Sequence, residues 1–502
     1  MCNKGNKALA LVVILIFFLS CTKTITYIAP HEGNKISASK IIIVLLNDGT
    51  ELKLKQPSIK GEKLIGFDKG NIKREIDFSL VQSVRIEKTN RYYAVLFSGV
   101  AIVAGILVYG SSTAPAPPPA GVECCPFIYS FDGENYVFDA EPYGAAICQS
   151  LKRAEWCGLE HVREINGQYK ILIANELDET QHTDELKLIV VDHPKGTQVA
   201  PDASGQIHSI SNPFLPIRAA DGEGNDILPL VCGKDGKFWE THSEKKNPDK
   251  KEDLKDELIF EFPRPKDVKK AKLFVNACTS LWGSQIAKQF LELHGNKIDD
   301  WYNEVNNFGP AYQQIMNWFF NEELYLLRIR VKTEKGWKSK GTIFGGGPFI
   351  SEDKAYVIDI SDVIEETLKI KITPPATFWR INSLFVDYTE DLDLQIHEVR
   401  ASEAVDNRGQ DVKEILAASD NNYLIMPNKG DQAEVIFSAP PKKEDWERSV
   451  ILKASGYYTI HLRAKGKPQN ELLEKLHSEP GYTIQFALQE YLKSKEATAG
   501  KR

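Results

Sequence analysis

Four cysteines fall in one short stretch of the chain: Cys124 beside Cys125, then Cys148, then Cys157. Clustered thiols can hold a metal, cycle electrons or staple loops. A structural zinc site wants pairs spaced C-x₂₋₄-C, which neither the adjacent pair nor the gap from Cys148 to Cys157 supplies. A thioredoxin-like centre wants C-x-x-C at a helix start, which is absent too. In an oxidising compartment the remaining chemistry is disulfide formation. Pairing is therefore expected among Cys124, Cys125, Cys148 and Cys157, with Cys148 to Cys157 closing a small loop.

Other chemistry-bearing residues are weighed the same way. The stretch Asp221 to Asp226 (DGEGND) superficially looks like a calcium loop, but the sixth and twelfth positions hold Asp226 and Cys232 where an EF-hand needs Gly and Glu. A similar D-x-x-G-x-D recurs at Asp406 to Asp411, and recurrence fits a hairpin turn with Asx bonding. FGGGPF, Phe344 to Phe349, lacks the Lys-Ser/Thr of a phosphate loop and reads as a flexible loop. Neither H-E-x-x-H nor G-x-S-x-G occurs. Asp192-His193 beside Glu176, Asp178 and Glu179 is explained by polar residues at a sandwich end. No catalytic residue, cofactor or metal site is expected. Trp301, Tyr302, Tyr312, Trp318 and Phe320 crowd one segment beyond what short helices need for their own core. Packing onto neighbouring sheets accounts for them, and so does a binding face, because aromatics are enriched at sugar sites and protein interfaces. The ligand-binding candidates are Trp301, Tyr302 and Trp318, with Gly345, Gly346 and Gly347 as a mobile neighbour.

Which side of a membrane these residues occupy depends on the N-terminus. Lys4 and Lys7 precede an apolar run, Ala8 to Leu19, that ends at Ser20-Cys21. The run is too short to span a hydrocarbon core, which needs about 20 residues. A basic start, a short apolar stretch and a small residue before the cut describe a secretory signal. Leu19-Ser20-Cys21 resembles the lipobox of bacterial lipoproteins, which implies cleavage after residue 20 and a lipid on Cys21. An ordinary secretory signal with a chance cysteine is the alternative. Thr22 stands where an inner-membrane retention signal would resemble Asp, which favours the outer membrane.

A second apolar run, Ala94 to Tyr109, would extend roughly 25 Å as a helix, marginal for a bilayer. Lys88 and Arg91 precede it, so the positive-inside rule puts its N-terminal side in the cytoplasm, opposite to where a cleaved lipoprotein puts it. The run is either a true span with unusual flanks or a segment that inserts shallowly or packs against a partner. Ala94/Ser98 and Ala101/Gly105 have the small-xxx-small spacing of close helix packing.

The 502 residues, 42% hydrophobic and 26% charged, are long enough for two or three globular domains. The net charge of −7 is uneven, since Lys35 to Arg91 holds twelve Lys and Arg against seven Asp and Glu. The acidic remainder argues against nucleic acid as a partner. The basic segment reads as five short strands around Asn47-Asp48-Gly49 and Asp68-Lys69-Gly70, a small closed barrel over 35–91. Its VLLNDGTELK, LIGFDKG and FSLVQSVRI are similar to Sm-like or SH3-like barrels, which in an envelope setting implies a protein contact or spacer. An apolar helix over 92–110 and a proline-rich linker over 111–121 follow; extended at ~3.1 Å per residue, the linker spaces the body by roughly 30 Å.

The body repeats itself. QYKILIANEL, LKLIVVDHP, IRAADGEGNDILPLV, Trp239, DELIFEFPRP and KAKLFVNAC are matched in order by LKIKITPP, SLFVDYT, ASEAVDNRGQDVKEIL, Tyr423, AEVIFSAPP and SVILKASG. Short strands bounded by Gly, Pro, Asn and Asp signal antiparallel sandwiches. The expected architecture is mainly β: a first sandwich over 122–280, a helical insert over 281–327 and a second sandwich with a C-terminal helix over 328–502. In the insert, Ile286/Phe290/Leu293, Ile298/Trp301/Tyr302/Val305 and Tyr312/Ile315/Met316/Phe319 have helical spacing.

CPFIYSFDGENYVFDAE, ANELDETQHTDELKLIVVDHP and LFVNACTSLWG together resemble a set of large bacterial envelope lipoproteins with no assigned activity. The likeness runs from about Cys125 to the C-terminus and brings no catalytic residues with it. The function expected is non-enzymatic: a lipid-anchored envelope protein, its body periplasmic or surface-exposed, touching the membrane and binding an envelope protein or glycan. The alternatives are a polysaccharide hydrolase with acidic residues at the sandwich ends, and a structural spacer.

Overall fold

The computed structural model describes residues 22–28, 41–46, 51–61, 63–68, 72–77, 80–90, 126–462 and 464–499. The signal segment 1–21 with Cys21, the apolar run Ala94 to Tyr109, the linker 111–121, and Cys124 and Cys125 lie outside them. Among the described residues no helix is long and apolar enough to cross a membrane. The chain divides into two compact units, Met1–Tyr109 and Gly110–Arg502.

The first unit is one antiparallel sheet. Its strands are β1 (Thr22–Ile28), β2 (Ile41–Leu46), β3 (Glu51–Lys60), β4 (Lys63–Phe67), β5 (Lys73–Asp77) and β6 (Val81–Asn90), in the order β1-β6-β2-β3-β4-β5. Alternating apolar residues put Ile42, Val44, Leu54, Leu64, Ile76 and Val81 into a small core. A bulge between Lys55 and Ser58, with Gln56 at φ 48, bends β3 and curls the sheet into a barrel-like form. The five strands expected over 35–91 are present, and β1 adds a sixth by pairing with β6.

The second unit is built from four blocks of strands. Block one is β7 (Phe127–Phe131), β8 (Tyr136–Ala140), β9 (Arg153–Leu159), β10 (Gln168–Ala174) and β11 (Glu179–His193). A hairpin, β12 (Gln198–Pro201) with β13 (Ile207–Ile210), leads to block two: β14 (Pro213–Phe214), β15 (Arg218–Asp221), β16 (Trp239–Glu240), β17 (Leu258–Pro263) and β18 (Lys270–Thr279). Helices α1 (Leu281–Glu292), α2 (Ile298–Asn306) and α3 (Pro310–Asn317) come next. Block three is β19 (Leu326–Thr333), β20 (Gly336–Phe344), β21 (Glu352–Asp359), β22 (Thr367–Ile372) and β23 (Trp379–Asp387). Block four is β24 (Gln395–Asp406), β25 (Leu424–Met426), β26 (Gln432–Ser438) and β27 (Glu447–Ile460), and helices α4 (Asn470–Ser478) and α5 (Tyr482–Ala499) follow it.

Blocks one and four form one lobe, with strand order β8-β7-β10-β26-β24-β11-β27-β9 and β25 added on β11. Blocks three and two form the other, as β20-β19-β22-β17-β15 and β14-β23-β18-β21, with β16 added on β23. The two orders are the same once β14 and β15 are read as one strand. β24 pairs β11 through its first half and β26 through its second; β14 and β15 divide that task on β23 and β17. Leu215-Pro216-Ile217 separates them, and proline has no N–H to continue a ladder.

This corrects the expectation of two consecutive sandwiches over 122–280 and 328–502. The mainly β architecture and the two similar lobes are present, but each lobe draws strands from both spans. Hydrophobic alternation says which face of a strand is buried, not which of two near-identical partners it joins. The repeated turns do match. Asp221 Oδ1 accepts from the amides of Glu223 (3.0 Å) and Asn225 (2.8 Å), and Asp406 Oδ1 from those of Arg408 (2.9 Å) and Gln410 (2.8 Å). Gly224 (φ 85) and Gly409 (φ 79) supply the left-handed residue of each turn.

The helices between blocks two and three serve both lobes. Trp282, Ile286 and Phe290 of α1 join the core of lobe two, with Phe260, Ile370 and Trp379 and with Leu473 and Ile484 of the C-terminal helices. Trp301 and Val305 of α2 and Ile315 of α3 close the core of lobe one, over Ile171, Leu188, Phe437 and Leu452. The β12–β13 hairpin is a wedge between lobes. Ile207 and Val199 face Ile189, Val191 and Ile451 of lobe one, while Ala200 and Ile210 face Phe274 and Ala355 of lobe two.

Candidate functional site

The aromatic candidates are divided between the two cores. Trp301 is 6% exposed in lobe one, and Trp318 is 8% exposed in lobe two, its Nε1 donating to the Leu476 carbonyl at 2.9 Å. Tyr302 is partly buried against Trp301, ring centroids 5.2 Å apart. These three rings are packing, not one binding face. Trp318 does meet Gly346, across an apolar cavity of about 50 Å³ that also touches Phe290, Ile315, Phe319 and Tyr458.

Hydrogen bonds tie the glycine loop to its surroundings. The Gly345 amide donates to Tyr325 O (2.9 Å), and Gly345 O accepts from Arg153 Nη2 (3.0 Å). Gly346 O accepts from Thr279 Oγ1 at 2.9 Å. Its glycines permit close approach: a Cβ on Gly347 would lie 1.9 Å from the Glu141 carboxyl carbon, and one on Gly345 2.7 Å from Thr279 Cγ2.

The disulfide expected between Cys148 and Cys157 is not formed. Both thiols are free and buried, as is Cys278, and Cys232 is free and half-buried. Cys148 precedes a short 3₁₀ turn, its Sγ 3.3 Å from Ser150 Oγ. Cys157 points inward from β9 toward Glu352. The thiols are committed to different neighbours, and burial pushes both thiol pKa values up.

Spacing arguments missed a charged junction where the lobes meet along β9 and β21. The inward positions of β9 are Arg153, Glu155, Cys157 and Leu159; those of β21, its equivalent, begin Glu352, Lys354, Tyr356. Arg153 Nη2 lies 3.1 Å from Glu155 Oε2, and Lys354 Nζ lies 2.9 Å from Glu352 and 3.7 Å from Glu155. Lys354 also donates to the Trp156 carbonyl on β9. Glu141, just past β8 and fully buried, accepts from the Phe349 amide at 2.9 Å through Oε2, while its Oε1 has no hydrogen-bond partner. The available signal was parity: charges at 153, 155, 352 and 354 sit where the alternation demands apolar residues.

Three clefts adjoin the β12–β13 wedge, of about 730, 550 and 210 Å³, and the smallest also reaches Arg153, Glu155 and Lys354 of the junction. Asp202, Gln206 and Asp391 each line two of them, and Trp156 joins the last pair, so they form one groove. Gly205 (φ 87) lies on the Trp156 ring, where a Cβ would come within 2.2 Å. In the largest cleft His208 sits between Asp391 (2.7 Å) and Asp202 (3.4 Å), and Lys272 reaches Asp391 at 3.0 Å. Burial opposes ionisation of Asp202, Asp387 and Asp391. Hydrogen bonds from Ser204, from the Asn212 amide and from Lys272 nonetheless hold the three carboxyls below the usual range. Four exposed apolar residues, Phe344, Val357, Leu392 and Ile396, line the groove.

Among the described residues no group of three His, Cys, Asp or Glu side chains is placed to hold a metal. No protein-family model matches this chain, and no curated protein matches it either.

Proposed function

We propose that this chain is a lipid-anchored protein of the bacterial cell envelope whose body binds an envelope partner, protein or glycan, through the groove around the β12–β13 wedge. The anchor rests on Lys4, Lys7 and the run from Ala8 to Leu19 ending at Ser20-Cys21. The envelope setting rests on the likeness of CPFIYSFDGENYVFDAE to envelope lipoproteins. One observation carries the binding reading. Phe344, Val357, Leu392 and Ile396 are solvent-exposed and collect along one concave surface beside Trp156 and paired charges. An apolar floor with a polar rim is the anatomy of recognition surfaces.

The hydrolase alternative needs a carboxyl that stays protonated to act as general acid. Asp202, Asp387 and Asp391 in the groove are instead held ionised. The carboxyl raised furthest by burial, Glu141, is packed under Gly347 and lines none of the three clefts.

The test has two arms. Cys21→Ala should release the protein from the membrane fraction and abolish labelling by a lipid precursor. Phe344→Asp with Ile396→Asp should remove retention of residues 110–502 on an immobilised envelope extract without lowering the melting temperature. Retention equal to the unmutated body would sink the groove. Protease or glycan digestion of the extract separates the two partner classes.

A further inference from the structure

The junction of the lobes holds more buried carboxyls than cations. From β9 come Arg153, Glu155 and Cys157; from β21 come Glu352 and Lys354; from β11 comes Glu179, whose Oε1 accepts from Gln181 at 2.8 Å. Tyr143 presents its amide to Glu155 (2.7 Å) and its hydroxyl to Thr183 (2.8 Å), and the Cys278 thiol of β18 also lies within the electrostatic reach of Glu141. The two cations are spent on Glu155 and Glu352. Glu141 receives one hydrogen bond, from the Phe349 amide, lies within the electrostatic reach of the Ile350 amide, and faces Glu352 and Glu179.

We propose that the contact between the lobes is proton-controlled: Glu141 is held there as a neutral carboxylic acid under the glycine loop, and losing that proton loosens the loop from lobe one. The geometry leaves a carboxylate no other remedy. Gly347 stands against the carboxyl carbon, so no water layer fits between them. No ion pair joins Glu141 to Arg153 or Lys354, and the charges that act most on it are the carboxylates of Glu352 and Glu179. Burial and Glu352 both raise the Glu141 pKa, against the opposing amide bonds. A carboxyl raised in the folded state stabilises fully below its unfolded value of about 4.3. That contribution declines as pH rises from there to the folded pKa. The closed junction is therefore favoured by acid and opened by base.

Cys157, buried at this junction, is the reporter. Thiol labelling of native protein is compared with Glu141→Gln at each pH, which cancels the ionisation of the thiol itself. The amide keeps the Phe349 bond and donates where the acid proton would. The ratio of labelling rates, unmutated over variant, should rise by up to about tenfold per pH unit from mildly acid pH upward. A ratio that does not change with pH overturns the proposal. A second reading needs no variant: the infrared band of protonated carboxyl should persist in the unmutated protein at neutral pH. Its absence there overturns the proposal even if Glu141→Gln fails to fold. Neither readout involves the partner or the exposed apolar residues of the groove, whose smallest cleft borders Arg153, Glu155 and Lys354.

Discussion

The two lobes share a strand order and differ in what fills it. Around the bulges at Thr183/Glu185 and Asn276/Ala277, the ladders align Gln181 of β11 with Trp379 of β23, and Thr183 with Ile381. Lobe two therefore has an indole, 1% exposed and donating to Leu324 O at 3.2 Å, where lobe one has a buried amide between Glu179 and Asn175. The inward charges of β9 and β21 are reversed in sequence, Arg153/Glu155 against Glu352/Lys354, so the equivalent strands complement each other where they meet. At this end of the sheets lobe two is filled by apolar volume, and lobe one, whose main core is apolar as well, by hydrogen bonds and ion pairs that lobe two completes. A repeated framework can thus carry a stable scaffold in one copy and a responsive interior in the other.

The most damaging way to test this contrast is Trp379→Ala. It should destabilise the body by about 3–5 kcal/mol in denaturant unfolding, as large-to-small changes in a dry core do. Gln181→Ala at the matching position should cost less, about 1–3 kcal/mol, because it removes hydrogen bonds and little volume. Equal losses would mean that the lobes are not differently filled.

An intermediate effect is expected from the two glycines that permit close approach. Gly347→Ala and Gly205→Ala force a Cβ onto Glu141 and onto the Trp156 ring, respectively, and Gly205 also has φ 87. Each should lower stability by about 1–3 kcal/mol. Only Gly347→Ala should speed Cys157 labelling in native protein; acceleration by both would merge the junction and the wedge into one unit.

The smallest effects belong to the equivalent turns. Asp221→Ala and Asp406→Ala each remove two amide bonds and one side-chain bond, from Asn225 Nδ2 at 2.8 Å and from Arg408 Nε at 3.1 Å, the latter an ion pair. Losses of about 0.5–1.5 kcal/mol are expected, Asp406 the larger. Added calcium should leave both melting curves unchanged.

The repeat and its turns were legible because D-x-x-G-x-D and strand alternation are local signals, readable within a dozen residues. The helical insert was legible for the same reason, from Ile286/Phe290 and Trp301/Val305. Exchange of blocks was not, since β10 presents the same apolar face whether it meets β26 or β17. Cys148 and Cys157 misled because sequence proximity says nothing about side-chain direction. The rings of Trp301 and Trp318 misled because a helical insert that serves two cores, Trp301 in one and Trp318 in the other, needs more aromatic volume than an insert with one. The junction charges broke the alternation at Arg153, Glu155, Glu352 and Lys354, yet only the meeting of two distant edges gives them a common purpose.

The exchange of blocks also dictates an order of assembly. Every strand of lobe two lies between Pro213 and Asp387, whereas lobe one needs residues from Phe127 to Ile460. A chain emerging N-terminus first presents β7 to β11 long before their partners β24 to β27 exist. β8, β7 and β10 can pair with one another. But β9, β11 and the outer edge of β10 must wait, unpaired, until the whole of lobe two has been made, and contacts so distant in sequence form slowly. Lobe two is thus the template on which the older half of lobe one is finally closed.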